Sequence, residues 1–193
     1  MCIDFPTLKK LLKKQGITIE RGGKRAACSL GKNKITIPSS YFEKGGDVLA
    51  VLSILHEVEH CKRTTFDVRA LVGNNKKKIF LFNVIEDIRI DQPMLERYKL
   101  SKLHKETFGK MIGGRDLPKR YPLYKKIGVC LLADVMLGVK LTNEKETYKK
   151  IEEQNLKVHV RNLVGLFSHL ERYPVKDSYV AALAYFNWFL SKI

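Results

Sequence analysis

No apolar run in this sequence approaches the ~18 residues that span a bilayer, so a helical membrane protein is excluded and no membrane partner is expected. There is no Cys-x-x-Cys pair either. Cys2, Cys28, Cys61 and Cys130 stand far apart, and the expectation is four free, buried thiols in an intracellular chain. No internal repeat, low-complexity tract or linker interrupts the 193 residues, and no RNA- or DNA-binding motif is present. The N-terminus, Met1-Cys2-Ile3-Asp4-Phe5-Pro6, lacks the basic-then-apolar pattern of a secretion signal. The expected location is therefore intracellular (cytoplasmic) or virion-associated.

What the chain does have is charge of one sign. Its net charge is +16, spread through Lys9-Lys10, Lys13-Lys14, Lys76-Lys77-Lys78, Lys119-Arg120 and Lys125-Lys126. A nucleic acid or an acidic protein as partner accounts for this, and so does a basic surface of no special role. A hydrophobic content of 45%, with nine Phe and eight Tyr, specifies a globular chain that can bury a core.

Periodicity predicts an α+β protein: a small antiparallel sheet, then an active-site helix, then a mostly helical remainder. Pro6–Lys14 has a short amphipathic pattern with Leu8, Leu11 and Leu12 inward, stopped by Gly16. Ile17–Glu20, Ala26–Leu30 and Lys34–Ile37 are strand-like, separated by Gly22-Gly23 and Gly31-Lys32-Asn33. A helix capped by Asp47 follows Gly45-Gly46 and runs to about Lys62. Val48, Leu52, Ile54, Leu55 and Val58 form its inward arc, with Leu49, Ser53, His56 and His60 on a separate stripe. A second apolar helix covers Ile79–Asp91, with Leu81, Val84, Ile85 and Ile88 as its stripe and Pro93 bending or ending it. Further helices are expected near 95–112, 122–138, 143–154, 156–172 and 177–192. These make one domain, 1–193, in three stretches: helix and sheet (1–44), metal-site helices (45–93) and a helical part (94–193).

His56-Glu57-Val58-Glu59-His60 carries the chemistry. Residues four apart on a helix lie nearly one above the other, so both imidazoles can reach one cation. Glu57, about 100° around the turn, can contact a water without being a ligand. This is the H-E-x-x-H arrangement of zinc peptidases, and chance would place it only ~0.01 times in a chain of this composition. A buried pair of hydrogen-bonded histidines is the plain alternative. A hydrolytic Zn2+ has three protein ligands and an exchangeable water. His104, His159 and His169 are isolated in helical patterns and are better read as core or surface residues. Glu86, in an apolar helix 26 residues beyond His60, is the preferred third ligand. Asp87 is the alternative, either as a ligand or as the acceptor that orients a ligand histidine, with Arg89 beside it. The plain reading of Glu86, Asp87 and Arg89 is a surface salt-bridge cluster, and Asp91 is expected to be a solvated charge.

His56-Glu57-x-x-His60 followed by Asn83-x-x-Glu86-Asp87-x-Arg89-Ile90-Asp91 resembles the gluzincin class of zincin metallopeptidases. More closely, it is similar to metallopeptidase domains of bacteria and their phages that accompany von Willebrand A-type proteins. The resemblance covers about residues 34–92. It implies zinc at His56, His60 and Glu86, with Glu57 as base, on a zincin fold whose sheet precedes the active-site helix. Asp91 departs from the glutamate usual at that position.

The expected activity is hydrolysis of a peptide bond in a protein or peptide substrate, with Glu57 taking a proton from water and passing it to the leaving amine. Arg89, Tyr98, His104 and Tyr121 are chemically suited to steady the oxyanion. The rival expectation is a zincin scaffold kept as a nucleic-acid-binding or virion assembly protein without peptidase activity. A third is a regulatory zinc protein working with an ATPase.

Overall fold

Strand pairing is set by which strand has most apolar surface to bury. The computed structural model describes residues 5–29, 33–44, 46–112 and 116–193. In it, β1 (Thr18–Arg21), β2 (Ala27–Ser29) and β3 (Lys34–Ile37) form a sheet of order β1-β3-β2. Ile35 and Ile37 are fully buried, whereas β1 and β2 are largely exposed, so β3 takes the centre and bonds on both edges.

The sheet is mixed, which corrects the antiparallel expectation: β1 runs parallel to β3, and β2 antiparallel. Residues 22–26 do not close a two-residue hairpin. They arch over the end of β3, about 10 Å across two strand spacings. The Gly22 N–H donates to the Ile37 carbonyl at 2.9 Å, and Gly23 takes φ +74°, a conformation costly for any side chain. Leu30, Gly31 and Lys32, expected to end one strand and turn toward the next, lie outside the described residues.

Two compact units divide the chain, Met1–Thr65 and Phe66–Ile193. In the first, α1 (Phe5–Lys14) buries Phe5, Leu8 and Leu12 while Leu11 is exposed, and packs on β1 and α3 (Gly46–Arg63). The short α2 (Ser39–Lys44) precedes α3, which lies against β2 and β3. Since α3 begins at Gly46, Asp47 stands inside its first turn rather than ahead of it, and its side chain lies outside the described residues. Leu49, Leu52, Ser53, Ile54, Leu55 and Val58 are buried, but Val48 is 39% exposed. The inward arc of α3 is thus rotated from the expected one, and it takes in part of the stripe that carries the histidines.

Packing against α3 also overturns the free-thiol expectation at two positions. It brings the Cα atoms of Cys28 and Cys61 to 6.3 Å, within bridging distance, and the two form a disulfide. Cys130 is a free, buried cysteine, and Cys2 lies outside the described residues.

The second unit is helical. Asp67 caps α4 (Val68–Val72) by accepting from the Arg69 and Ala70 N–H groups, and Asn75 caps α5 (Lys76–Arg97) by accepting from Lys78. Pro93 does not end α5, because Met94 and Leu95 beyond it are buried and hold the last turn to the core. The remaining helices are α6 (Ser101–Ile112), α7 (Leu123–Leu132) with a π turn at Ala133–Leu137, α8 (Lys145–Glu153), α9 (Leu156–Arg172) and α10 (Lys176–Lys192). Helix α5 packs on α6, α7 and α9, which explains why it is buried on nearly every side. Phe66, Phe82, Phe167 and Phe186 form its aromatic core, with Phe82 and Phe167 ring centres 5.1 Å apart. No helix among the described residues is long and apolar enough to cross a membrane.

Candidate metal centre

Helix α3 sets the histidine pair. His56 and His60 are half-buried, and their Nε2 atoms approach to 3.1 Å. On the other side of the His60 ring, Nδ1 is 3.4 Å from Thr64 Oγ1. A proton donated to Thr64 from Nδ1 leaves the Nε2 lone pair directed toward His56. Two nitrogens at that spacing fit a shared cation: at ~2.05 Å from each, they subtend about 98° at the metal, near the tetrahedral value. Glu57 and Glu59, which point about 160° apart on the same turn, are buried. Burying carboxylates is costly unless cations or donors face them, and both residues are engaged in polar interactions.

Helix α5 supplies the acids, and it treats two adjacent ones differently. Glu86 is buried and held by Arg89 through both oxygens: Nε donates to Oε2 at 2.7 Å and Nη2 to Oε1 at 2.6 Å. Arg89 Nη1 donates to Glu171 of α9, and its guanidinium carbon lies 5.6 Å from the Phe66 ring centre. Burial alone would lower the Arg89 pKa, but the bonds and charges of Glu86, then Glu171, outweigh it and hold the group above its ordinary value. These contacts correct the surface-cluster reading, since Arg89 and Glu86 form a buried ion pair. Asp91 is likewise not solvated; only 7% exposed, it lies in the part of α5 buried by its neighbours.

Asp87 is half-buried. The histidine pair belongs to the first unit and Asp87 to the second. Two histidines leave room on a tetrahedral cation for an acid oxygen and for a water or substrate oxygen.

The other histidines are occupied elsewhere. His104 is buried in α6 against Phe108, His159 meets Tyr185 and Trp188, and His169 stacks near Tyr173. Of the suggested oxyanion donors, Arg89 is committed to Glu86 and Glu171, Tyr98 is exposed, and Tyr121 lies under Lys125. Sequence reasoning misses Thr64 and Glu171. Thr64 sits four residues beyond His60, where helical spacing could have signalled it. Glu171 is 82 residues from Arg89 and carries no local signal.

Comparison with models of protein families, with curated proteins and with solved structures finds no match. The resemblance to zincins therefore rests on the motif residues themselves.

Proposed function

We propose that the chain is a zinc-dependent peptidase of the zincin type, with His56, His60 and Asp87 as metal ligands and Glu57 as general base. The observation that carries this reading is the approach of the His56 and His60 Nε2 atoms to 3.1 Å at the spacing H-E-x-x-H requires, and the choice of acid follows from Arg89 binding both oxygens of Glu86. An aspartate as third ligand departs from the glutamate of the gluzincin pattern.

A divalent zinc in such a site supplies Lewis acidity, which makes water nucleophilic near neutral pH and polarises a scissile carbonyl. The residues of the chain do the rest. His56 and His60 would hold the metal through Nε2, and the Thr64 hydroxyl, 3.4 Å from Nδ1 of His60, would help to orient that ring. Glu57 takes the proton from the attacking water and returns it to the leaving amine, so one carboxylate serves as base and then as acid. The net charge of +16 favours acidic peptide substrates, and turnover should then fall as salt screens the attraction.

The test is metal content together with peptide hydrolysis. Purified without chelators, the wild-type chain should carry about one equivalent of zinc, and His60→Ala should lose it. Glu57→Gln should keep the metal while cleavage of a fluorogenic peptide library drops at least ~100-fold. A zinc-free wild type, or a Glu57→Gln variant cleaving at the wild-type rate, would overturn the assignment.

A further inference from the structure

We propose that the Cys28–Cys61 disulfide is a redox control on the metal centre, its reduction weakening the hold of α3 on the metal; this rests on the metal-binding reading above. Cys61 is the residue after His60, in the last turn of α3, and its bond ties that turn to β2. Two contacts of His60, one to its ring and one to its backbone, lie in the same short stretch. The Thr64 hydroxyl faces Nδ1, and the Thr64 N–H donates to the His60 carbonyl at 3.0 Å just past the helix end.

Last turns of helices are where the intrahelical ladder runs out and the chain frays. Here the covalent link to β2 stands against that fraying. β2 is itself a three-residue edge strand with Ala27 and Ser29 exposed, so without the disulfide its hold on the helix end is slight. His56 lies a full turn earlier, between buried Leu55 and Glu57, and does not depend on that turn. Opening the bond therefore loosens one ligand of the pair and spares the other.

Both cystine residues are half-buried rather than sealed, which leaves them open to a dithiol reductant. One thiolate of the reductant attacks a sulfur of the cystine, forming a mixed disulfide and releasing the other sulfur as a thiolate. The second thiol of the reductant then closes its own disulfide. Two electrons pass to the chain, and Cys28 and Cys61 are left as thiols.

Loss of the groups that orient a ligand histidine typically weakens metal binding by about 10- to 100-fold, which is the effect expected here. The experiment measures zinc affinity of the full chain by competition with a chromophoric chelator. It compares the oxidised protein, the protein reduced with a phosphine (which adds no competing thiol), and Cys28→Ala/Cys61→Ala. The oxidised chain should bind tightly. The reduced chain and the double variant should bind about 10- to 100-fold more weakly, with the reductant having no effect on the variant. If the double variant loses its helical circular dichroism, Cys28→Ala alone takes its place. Equal affinity in every form, or tighter binding on reduction, overturns the switch and leaves the metal reading standing. An oxidised chain that binds no zinc overturns both.

Discussion

Replacing Arg89 with methionine separates the buried ion pair of α5 from the packing around it. Methionine keeps much of the apolar stem and volume but none of the donors. Glu86 loses two short charge-assisted hydrogen bonds, at 2.7 and 2.6 Å, and Glu171 loses a third at the edge of the same guanidinium. At about 1.5–3 kcal/mol for each bond to a charged partner, the two buried ones amount to about 3–6 kcal/mol. Breaking buried ion pairs by removing one partner costs about 3–5 kcal/mol, which agrees. We expect a loss of about 4 kcal/mol, measured by urea unfolding with a chelator present so that metal plays no part. In thermal unfolding this should appear as a fall of about 8–15 °C for a chain of this size. Arg89→Met/Glu86→Gln should recover at least half of the loss, because the second change removes the carboxylate that made the first costly. A single-variant cost below about 1 kcal/mol, or a double variant no better than the single one, would show that Arg89 holds α5 by packing alone.

Gly128 lies where α7 meets α5, and a Cβ there would sit 2.6 Å from Phe80 Cε1, so the ring must move. Overpacking of this kind costs about 1–3 kcal/mol against a helix-propensity gain of about 1. Gly128→Ala should therefore lower stability by about 1 kcal/mol in thermal unfolding, and a stabilised variant would refute the close approach. Cys130 is buried, and burial pushes its thiol up from 9.0 to about 11. A raised folded pKa means a contribution present in full below pH ~9 and lost as pH climbs toward 11, with a ceiling of about 2–3 kcal/mol. Cys130→Ala should flatten that part of the alkaline stability profile, and identical slopes for wild type and variant would sink the reasoning.

Elements with a strong local period are legible from sequence. Helices α1, α3 and α5 lie where 3.6-residue spacing places them, although Leu11, expected inward, is exposed and the inward arc of α3 is rotated away from Val48. What the pattern cannot carry is pairing between distant segments. Whether Lys34–Ile37 sits in the middle of the sheet or at its end depends on both neighbours, and so does the parallel sense of β1. Cys28 and Cys61 are 33 residues apart with no spacing signature, and only the packing of α3 on β2 brings them together. Asp91 looks solvated in a linear sequence because a lone carboxylate usually is. Its burial follows from α6, α7 and α9 surrounding α5. Helices as short as Ser39–Lys44 and Val68–Val72 offer too few turns for any period to show.

The choice between Glu86 and Asp87 turns on a competition that the sequence itself contains. Consecutive helical residues point about 100° apart, so the two carboxylates face different surroundings, whereas Glu86 and Arg89 at i and i+3 share a face. A guanidinium on that face takes both oxygens of Glu86, and the other acid, Asp87, is the one we propose for the metal. On the proposed reading the motif Glu-Asp-x-Arg divides its labour: one carboxylate balances a buried cation, and its neighbour serves the metal. Substitution of each acid by its amide separates these roles with little change of shape. Asp87→Asn should weaken zinc binding by more than about 100-fold, beyond the range typical for groups that merely orient a ligand. Glu86→Gln should keep zinc affinity within about tenfold of wild type while losing about 2 kcal/mol or more of stability, since the guanidinium loses the counter-charge that it holds through two bonds. The reverse pattern, with zinc lost in Glu86→Gln and kept in Asp87→Asn, would return the ligand role to Glu86 and make the Arg89 pair a resting arrangement that metal displaces.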